Sequence, residues 1–207
     1  MRKTALYETH ISHEGKMVEF VGWEMPLQYP TGIMEEHLLT RKKAGLFDIS
    51  HMGRFIIRGN NALSFLQHVL TNNSSGLIVG KAQYTMIPNE RGGAIDDAYL
   101  YRFFEDQYLL VVNAANLQKD WYHFQKILSS FSEVELIDQT ESLAMLSLQG
   151  SLSREILNVI LDKGYLPEPG KNFLSVTEVK GREVLIARTG YAGESLGQAF
   201  LGGGHEK

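Results

Sequence analysis

The 207-residue chain has no cysteine. That absence excludes disulfides, thiolate metal sites and a cysteine nucleophile from this chain, and it suits a reducing compartment. No stretch approaches the ~18 consecutive apolar residues of a membrane-spanning helix. The first residues, Met1-Arg-Lys-Thr-Ala-Leu-Tyr7, lack the apolar core of a secretory signal. A cytoplasmic protein without a membrane partner is the expectation. Net charge is −4 and no basic run exceeds Arg41-Lys42-Lys43, so the electrostatic footprint of a nucleic-acid binder is missing. No repeat at solenoid period occurs. Seven histidines are scattered, and the only tight pair, His10 and His13, has no further ligand beside it. No metal site is expected.

What is present is a mixture of helical and strand patterns. Strands are expected at Met17–Val21, Arg54–Arg58, Val134–Ile137 and Leu143–Leu148, with a meander at Gln83–Ile87, Ala94–Tyr101 and Tyr108–Val112. A hairpin is expected at Phe173–Val179 and Glu183–Ala187. Ile33–Ala44 reads as a helix, with Glu35-Glu36 early and Arg41-Lys42-Lys43 late, as the helix dipole favours, and with Gly45 to end it. Asn60 or Asn61 is placed to cap a helix to about Leu70, and Ser151 or Ser153 one to about Leu161. Asn113 or Asn116 opens another through Leu128, on which Leu117, Trp121, Phe124 and Leu128 share helical spacing. Strands in runs, without regular βαβ alternation, argue for an α+β fold of antiparallel sheets with packed helices. The glycine-rich end, residues 196–207, has no period and reads as a frayed or foreign tail.

The densest signal is Asn89-Glu-Arg-Gly-Gly-Ala-Ile-Asp96-Asp97-Ala-Tyr-Leu-Tyr101. Gly92-Gly93 admit the positive φ of a turn. In the strand that follows, alternation puts Ile95, Asp97, Tyr99 and Tyr101 on one face and Ala94, Asp96, Ala98 and Leu100 on the other. A carboxylate among large apolar neighbours is costly unless partnered. One of the two aspartates is therefore expected to face a polar partner or a ligand, or both to be solvated near the turn. Trp23, Tyr29, Tyr84, Tyr99, Tyr101 and Tyr191 suit either a core or a flat heterocyclic ligand. Asp48, Ser50 and His51 lie close in sequence, but neighbouring strand residues point to opposite faces, so a hydrolase triad is not expected. Gly190-Tyr-Ala-Gly193 lacks the strand-to-helix context of a nucleotide loop.

Five motifs then occur in order: Gly22-Trp-Glu-Met-Pro26, Gly45-Leu-Phe-Asp-Ile-Ser-His-Met-Gly53, Gly92-Gly-Ala-Ile-Asp-Asp97, Val111-Val-Asn-Ala-Ala-Asn116 and Arg188-Thr-Gly-Tyr191. Together they resemble the aminomethyltransferase (T-protein) family of the glycine cleavage system, over residues 1 to about 194. The resemblance implies a folate-binding fold of three domains. The first would comprise residues 1–50 and 141–195, the second residues 51–140. The third, a C-terminal barrel, has no counterpart in these residues, and a truncated, impaired chain is expected. The implied reaction, in glycine catabolism, moves the one-carbon unit of an aminomethyl group from a lipoylated carrier (H-protein) to tetrahydrofolate and releases ammonia. The resemblance implies Asp97 as the catalytic residue and Met52, Tyr84, Tyr101, Asn113 and Tyr191 as folate-binding positions. In a full-length version Asp97→Asn is then expected to abolish transfer and Asp96→Asn to cost much less. Arg2, Lys3 and the Arg41-Lys42-Lys43 run are candidates for meeting an acidic carrier surface. The likeness weakens after Glu194, where a pterin-binding glutamate of the family falls on Gln198. An amide keeps the hydrogen bonding and loses the charge. Other implied readings are a non-catalytic folate-binding or carrier-docking module and the folate domain of a related demethylating enzyme; no dinucleotide fingerprint supports the flavin domain usually fused to the latter.

Overall fold

A computed structural model describes residues 1–189 and the backbone of residues 197–202. In chain order the elements are β1 (Arg2–Lys3), α1 (Tyr7–Ser12), β2 (Lys16–Phe20), β3 (Trp23–Gln28), α2 (Ile33–Lys42), β4 (Gly45–Asp48), β5 (Gly53–Arg58) and α3 (Ala62–Val69). There follow β6 (Lys81–Pro88), β7 (Ala94–Arg102), β8 (Gln107–Val112), α4 (Leu117–Leu128), β9 (Glu135–Asp138) and β10 (Leu143–Gln149). The last are α5 (Ser153–Ile160), β11 (Leu174–Val179), β12 (Arg182–Ala187) and β13 (Gly197–Gly202). The meander of β6, β7 and β8 is extended by β5 and β9 into a five-stranded antiparallel sheet, in the order β6-β7-β8-β5-β9. A second antiparallel sheet runs β11-β12-β13-β10-β4, and a small one β1-β3-β2.

Alternation along the first sheet gives it two apolar faces and so two cores. On one face Phe65 and Leu66 of α3 and Leu117 and Phe124 of α4 pack against Phe55, Ile57, Leu100 and Leu110. Each such fully buried side chain contributes ~1.5–3 kcal/mol. On the other face Ala82, Tyr99, Tyr101, Leu109 and Val111 meet Met145, Leu174 and Ala187 of the second sheet. The result is a helix layer and two sheets, with β7 in the middle sheet.

Four details differ from the sequence reading. The first is Ile95, which packs with the helix-side core. The pairing passes from Ile87↔Asp96 to Pro88↔Ala94, so Ile95 is the extra residue of a bulge and turns away from the face of Asp97. The second concerns the expected helix caps. Asn61 and Asn116 precede α3 and α4 but make no capping hydrogen bond. Asn61 instead donates to Ser132 O, Asn116 to Asp96, and Ser151 to Lys42 O. The third is the segment expected to be frayed. Its residues 197–202 form β13, with the backbone paired to both β10 and β12. Glycine-rich sequence carries little strand signal, and it is pairing on both edges that fixes this segment. Gly45, expected to end α2, begins β4 instead.

Candidate active site

The site is built on β7 and the ends of its neighbours. Tyr99 and Tyr101 point to the sheet–sheet core, two residues apart on one face, with ring centroids 5.5 Å apart. Tyr101 stacks on Phe103, and its hydroxyl lies 3.3 Å from Thr189 Oγ1. Tyr99 donates to Asn172 Oδ1 at 2.8 Å. Burial raises the Tyr99 phenol above its ordinary value, opposed by the bond to Asn172. Asn172 reaches Tyr99 because Ala82 N donates to Asn172 O where β6 passes the start of β11. Opposite Tyr99 on β6 is the half-exposed Tyr84, edge-on at 6.1 Å. Its phenol is also raised, by desolvation first, then by the charge of Asp97 and a hydrogen bond with it.

Asp97 is exposed at the end of this aromatic row. Asn113, just beyond β8, donates its side-chain N–H groups to Asp97 Oδ1 at 2.8 Å and to Asp96 Oδ1 at 2.9 Å. Met52, in the β4–β5 connection, packs against the same core. Met52, Asp97, Tyr99, Tyr101, Val111 and Asn113 line one small cavity of about 10 Å³, room for a single water. Of the residues singled out in the sequence, Met52, Asp97, Tyr101 and Asn113 therefore converge, with Tyr84 at the rim. Tyr191 lies outside the described residues, as does the Gln198 side chain. Trp23 and Tyr29 do not join the group: Trp23 is buried beneath Arg2, and Tyr29 bonds His10 Nδ1 at 2.7 Å.

The two aspartates have opposite environments. Asp96 is buried and accepts from Asn113 N, Asn113 Nδ2 and Asn116 Nδ2. Burial raises its carboxyl, but the bonds from Asn113, Asn116, Asp120 and the Asp97 amide outweigh it and hold it below the ordinary value. Behind it, on α4, Asp120 is wholly buried. Burial, then the bond with Asp96 and its charge, push Asp120 up to about 8.

Arg54 was legible only as a strand residue. Its guanidinium is fully buried and donates to the carbonyls of Ser50 (2.9 Å), Met52 and Thr140. It thereby holds the connection that carries Met52. Asp48, Ser50 and His51 form no triad: Ser50 Oγ bonds Met145, Asp48 accepts from Leu6 N and Ser50 N, and the His51 ring lies edge-on to Phe20. Of the basic residues considered for docking, Arg2 pairs with Glu141 and Lys3 lies over Tyr7. Among the described residues Arg41, Lys42 and Lys43 have no ion-pair partner. No helix among the described residues is long and apolar enough to cross a membrane.

Comparison with known proteins gives one consistent picture. The family described as the GCVT N-terminal domain matches residues 6–197. The chain is 49% identical over 201 residues to an aminomethyltransferase of Thermus thermophilus, covering 97% of this chain and 57% of that protein. For the aminomethyltransferase of Deinococcus deserti the identity is 43%, with 97% and 56% covered. The chain thus spans a little over half the length of these relatives. The crystal structure of glycine cleavage system aminomethyltransferase T from Bartonella henselae superposes with a TM-score of 0.85 at 35% identity, over 97% of this chain and 54% of that one. A heterotetrameric sarcosine oxidase from Corynebacterium sp. U-96 matches at TM-score 0.56 and 18% identity, over 77% and 76%, a likeness of fold alone.

Proposed function

Since the chain belongs to the GCVT N-terminal domain family, we propose that it carries the folate-binding and reacting centre of an aminomethyltransferase of glycine catabolism. In this reading a carrier-bound aminomethyl group loses its carbon to tetrahydrofolate. The carbon's bonds to sulfur and to nitrogen break, and bonds to two folate nitrogens form. The two protons from those nitrogens go to the lipoyl sulfur and to the departing ammonia, so no external oxidant or reductant is needed.

The observation that carries the proposal is Asp97, held by Asn113 beside Tyr84 at the mouth of the tyrosine-lined cavity. Tyr84, Tyr99 and Tyr101 offer aromatic surface to a flat ring. Asp97 offers an exposed, oriented carboxylate that can accept an N–H proton and stabilise iminium charge. Because the cavity admits one water, the pterin would lie across its mouth, against Tyr84 and Asp97, with Tyr191 as a further candidate contact. The Arg41-Lys42-Lys43 run, which has no ion-pair partner among the described residues, is the candidate contact for an acidic lipoylated carrier, by a salt-sensitive association.

The small cavity also favours a second reading, a folate-binding module without turnover. Calorimetric titration with tetrahydrofolate, beside a turnover assay with aminomethylated carrier, separates the two. Binding with turnover that Asp97→Asn removes supports the transferase. Binding without turnover supports the module, and no binding refutes both.

A further inference from the structure

Asp120 is a wholly buried carboxyl group that the proposed chemistry does not use. Its relative exposure is 0%, and neither oxygen accepts a hydrogen bond from any N–H or O–H donor. Its polar neighbour is another carboxyl, that of Asp96, close enough for a side-chain hydrogen bond. Two bare carboxylates in contact repel, and an unpartnered buried charge is costly. The contact becomes attractive when one proton lies between them. Asp96 already accepts three N–H bonds, from Asn113 N, Asn113 Nδ2 and Asn116 Nδ2, and is the better placed to stay ionised. The proton therefore belongs to Asp120, which donates it to Asp96.

The effect reaches the candidate reacting carboxylate in two steps. Asn113 Nδ2 has two hydrogens, one directed to Asp96 Oδ1 and the other to Asp97 Oδ1. Any shift in Asp96 rotates that amide and so moves Asp97. We propose that Asp120 is a positioning residue: as a neutral acid it locks Asp96, and through the Asn113 amide it fixes the orientation of the Asp97 carboxylate. The charged groups that act on Asp120 are Asp96 and Asp97 from β7 and Lys119 from its own helix. Lys119 is itself directed to Ile95 O at 2.7 Å. Loss of the Asp120 proton adds a third negative charge to the group, opposed only by Lys119. The upward displacement of the Asp120 carboxyl to about 8 agrees with this arrangement.

The inference rests on Asp97 being the reacting carboxylate only for its functional consequence, and two measurements keep the parts distinct. The first is a pH titration of the Asn113 side-chain amide resonances in the full chain by heteronuclear NMR. A midpoint near pH 8 is expected, absent in Asp120→Asn, which keeps a neutral donor of the same shape. A wild-type amide that does not titrate between pH 6 and 9.5, or one whose midpoint survives in Asp120→Asn, overturns the proposal, and the wild-type result needs no variant to fold. The second is tetrahydrofolate affinity by calorimetry at pH 7 and pH 9. The neutral fraction of Asp120 falls from about 0.9 to about 0.1 across that range, so wild-type affinity is expected to fall about tenfold. The affinity of Asp120→Asn is expected to change by less than about twofold. Wild-type and variant affinities that move together overturn the link to Asp97. A titrating Asn113 in a protein that binds no tetrahydrofolate at either pH supports the shared proton and refutes the proposed function instead.

Discussion

Replacing Arg54 by methionine tests how the Met52 connection is held. The guanidinium donates to three carbonyls, those of Ser50, Met52 and Thr140, and its Nε has no partner. Arg54→Met keeps most of the aliphatic volume and leaves three acceptors in a buried site without a donor. Each orphaned acceptor costs ~1–3 kcal/mol, so a loss of about 3–9 kcal/mol for the three is the first contribution. Against it stands the relief of burying a cation. Burial, with Arg2 adding to it and Asp138 and Asp48 opposing, lowers the Arg54 pKa from 12.5 to about 10. That displacement corresponds to about 3 kcal/mol of unfavourable environment for the charge. The net expectation is destabilisation of up to about 6 kcal/mol. Urea denaturation followed by tryptophan fluorescence measures it directly, with an unchanged m-value as the check that only stability has moved. Because the Met52 connection loses its staple, tetrahydrofolate affinity is expected to fall as well. A variant as stable as the parent or more so would refute the reasoning, by showing that the three carbonyls find other partners.

Other outcomes follow from the same contacts. Asp97→Asn is expected to leave stability within about 0.5 kcal/mol, since the side chain is exposed, and to lower transfer by ~10²–10⁴. Asp96→Asn sets an amide N–H against at least one of the three N–H donors that Asp96 now accepts from and is expected to cost about 2–4 kcal/mol in urea denaturation. Gly150→Ala is expected to destabilise by about 3 kcal/mol or more on the same measure. Gly150 has φ +123°, and a Cβ there would meet Lys43 O at 2.3 Å and Thr40 O at 2.4 Å. Asp120 gives a pH signature: its folded pKa of about 8 lies above the unfolded value near 3.9, so the native state holds the extra proton between them. Stability therefore falls as pH rises through that window, by about 1 kcal/mol between pH 7 and 8. His51 and His123, both lowered chiefly by burial, act with the opposite sign and below about pH 6.5. Denaturation of wild type and Asp120→Asn at pH 7, 8 and 9 isolates the carboxyl; parallel curves would contradict it.

Much of the fold was present in local pattern. Period-two alternation marked β6, β7 and β8, and the Leu117, Trp121, Phe124 and Leu128 spacing marked α4, because burial of one face imposes those periods on the chain itself. The carboxylate pair beside Gly92-Gly93, and the order of the five motifs, pointed to the strand on which the candidate site is built. Asp120 left a weaker trace: it falls three residues after Leu117 and four before Phe124, on the apolar stripe of its helix, where a lone acid is out of place. Other features had no local signal. Asn61, Asn116 and Ser151 are good capping residues by type, yet their side chains serve acceptors far away in sequence. Strand β13 is glycine-rich and is a strand because β10 and β12 flank it. Which aspartate is buried, and that Arg54 meets three carbonyls without touching a carboxylate, depended on side chains brought together from up to 86 residues apart. Periodicity along one segment is a local property that the chain carries by itself. The partner of a polar group is a property of two segments, and only their packing decides it.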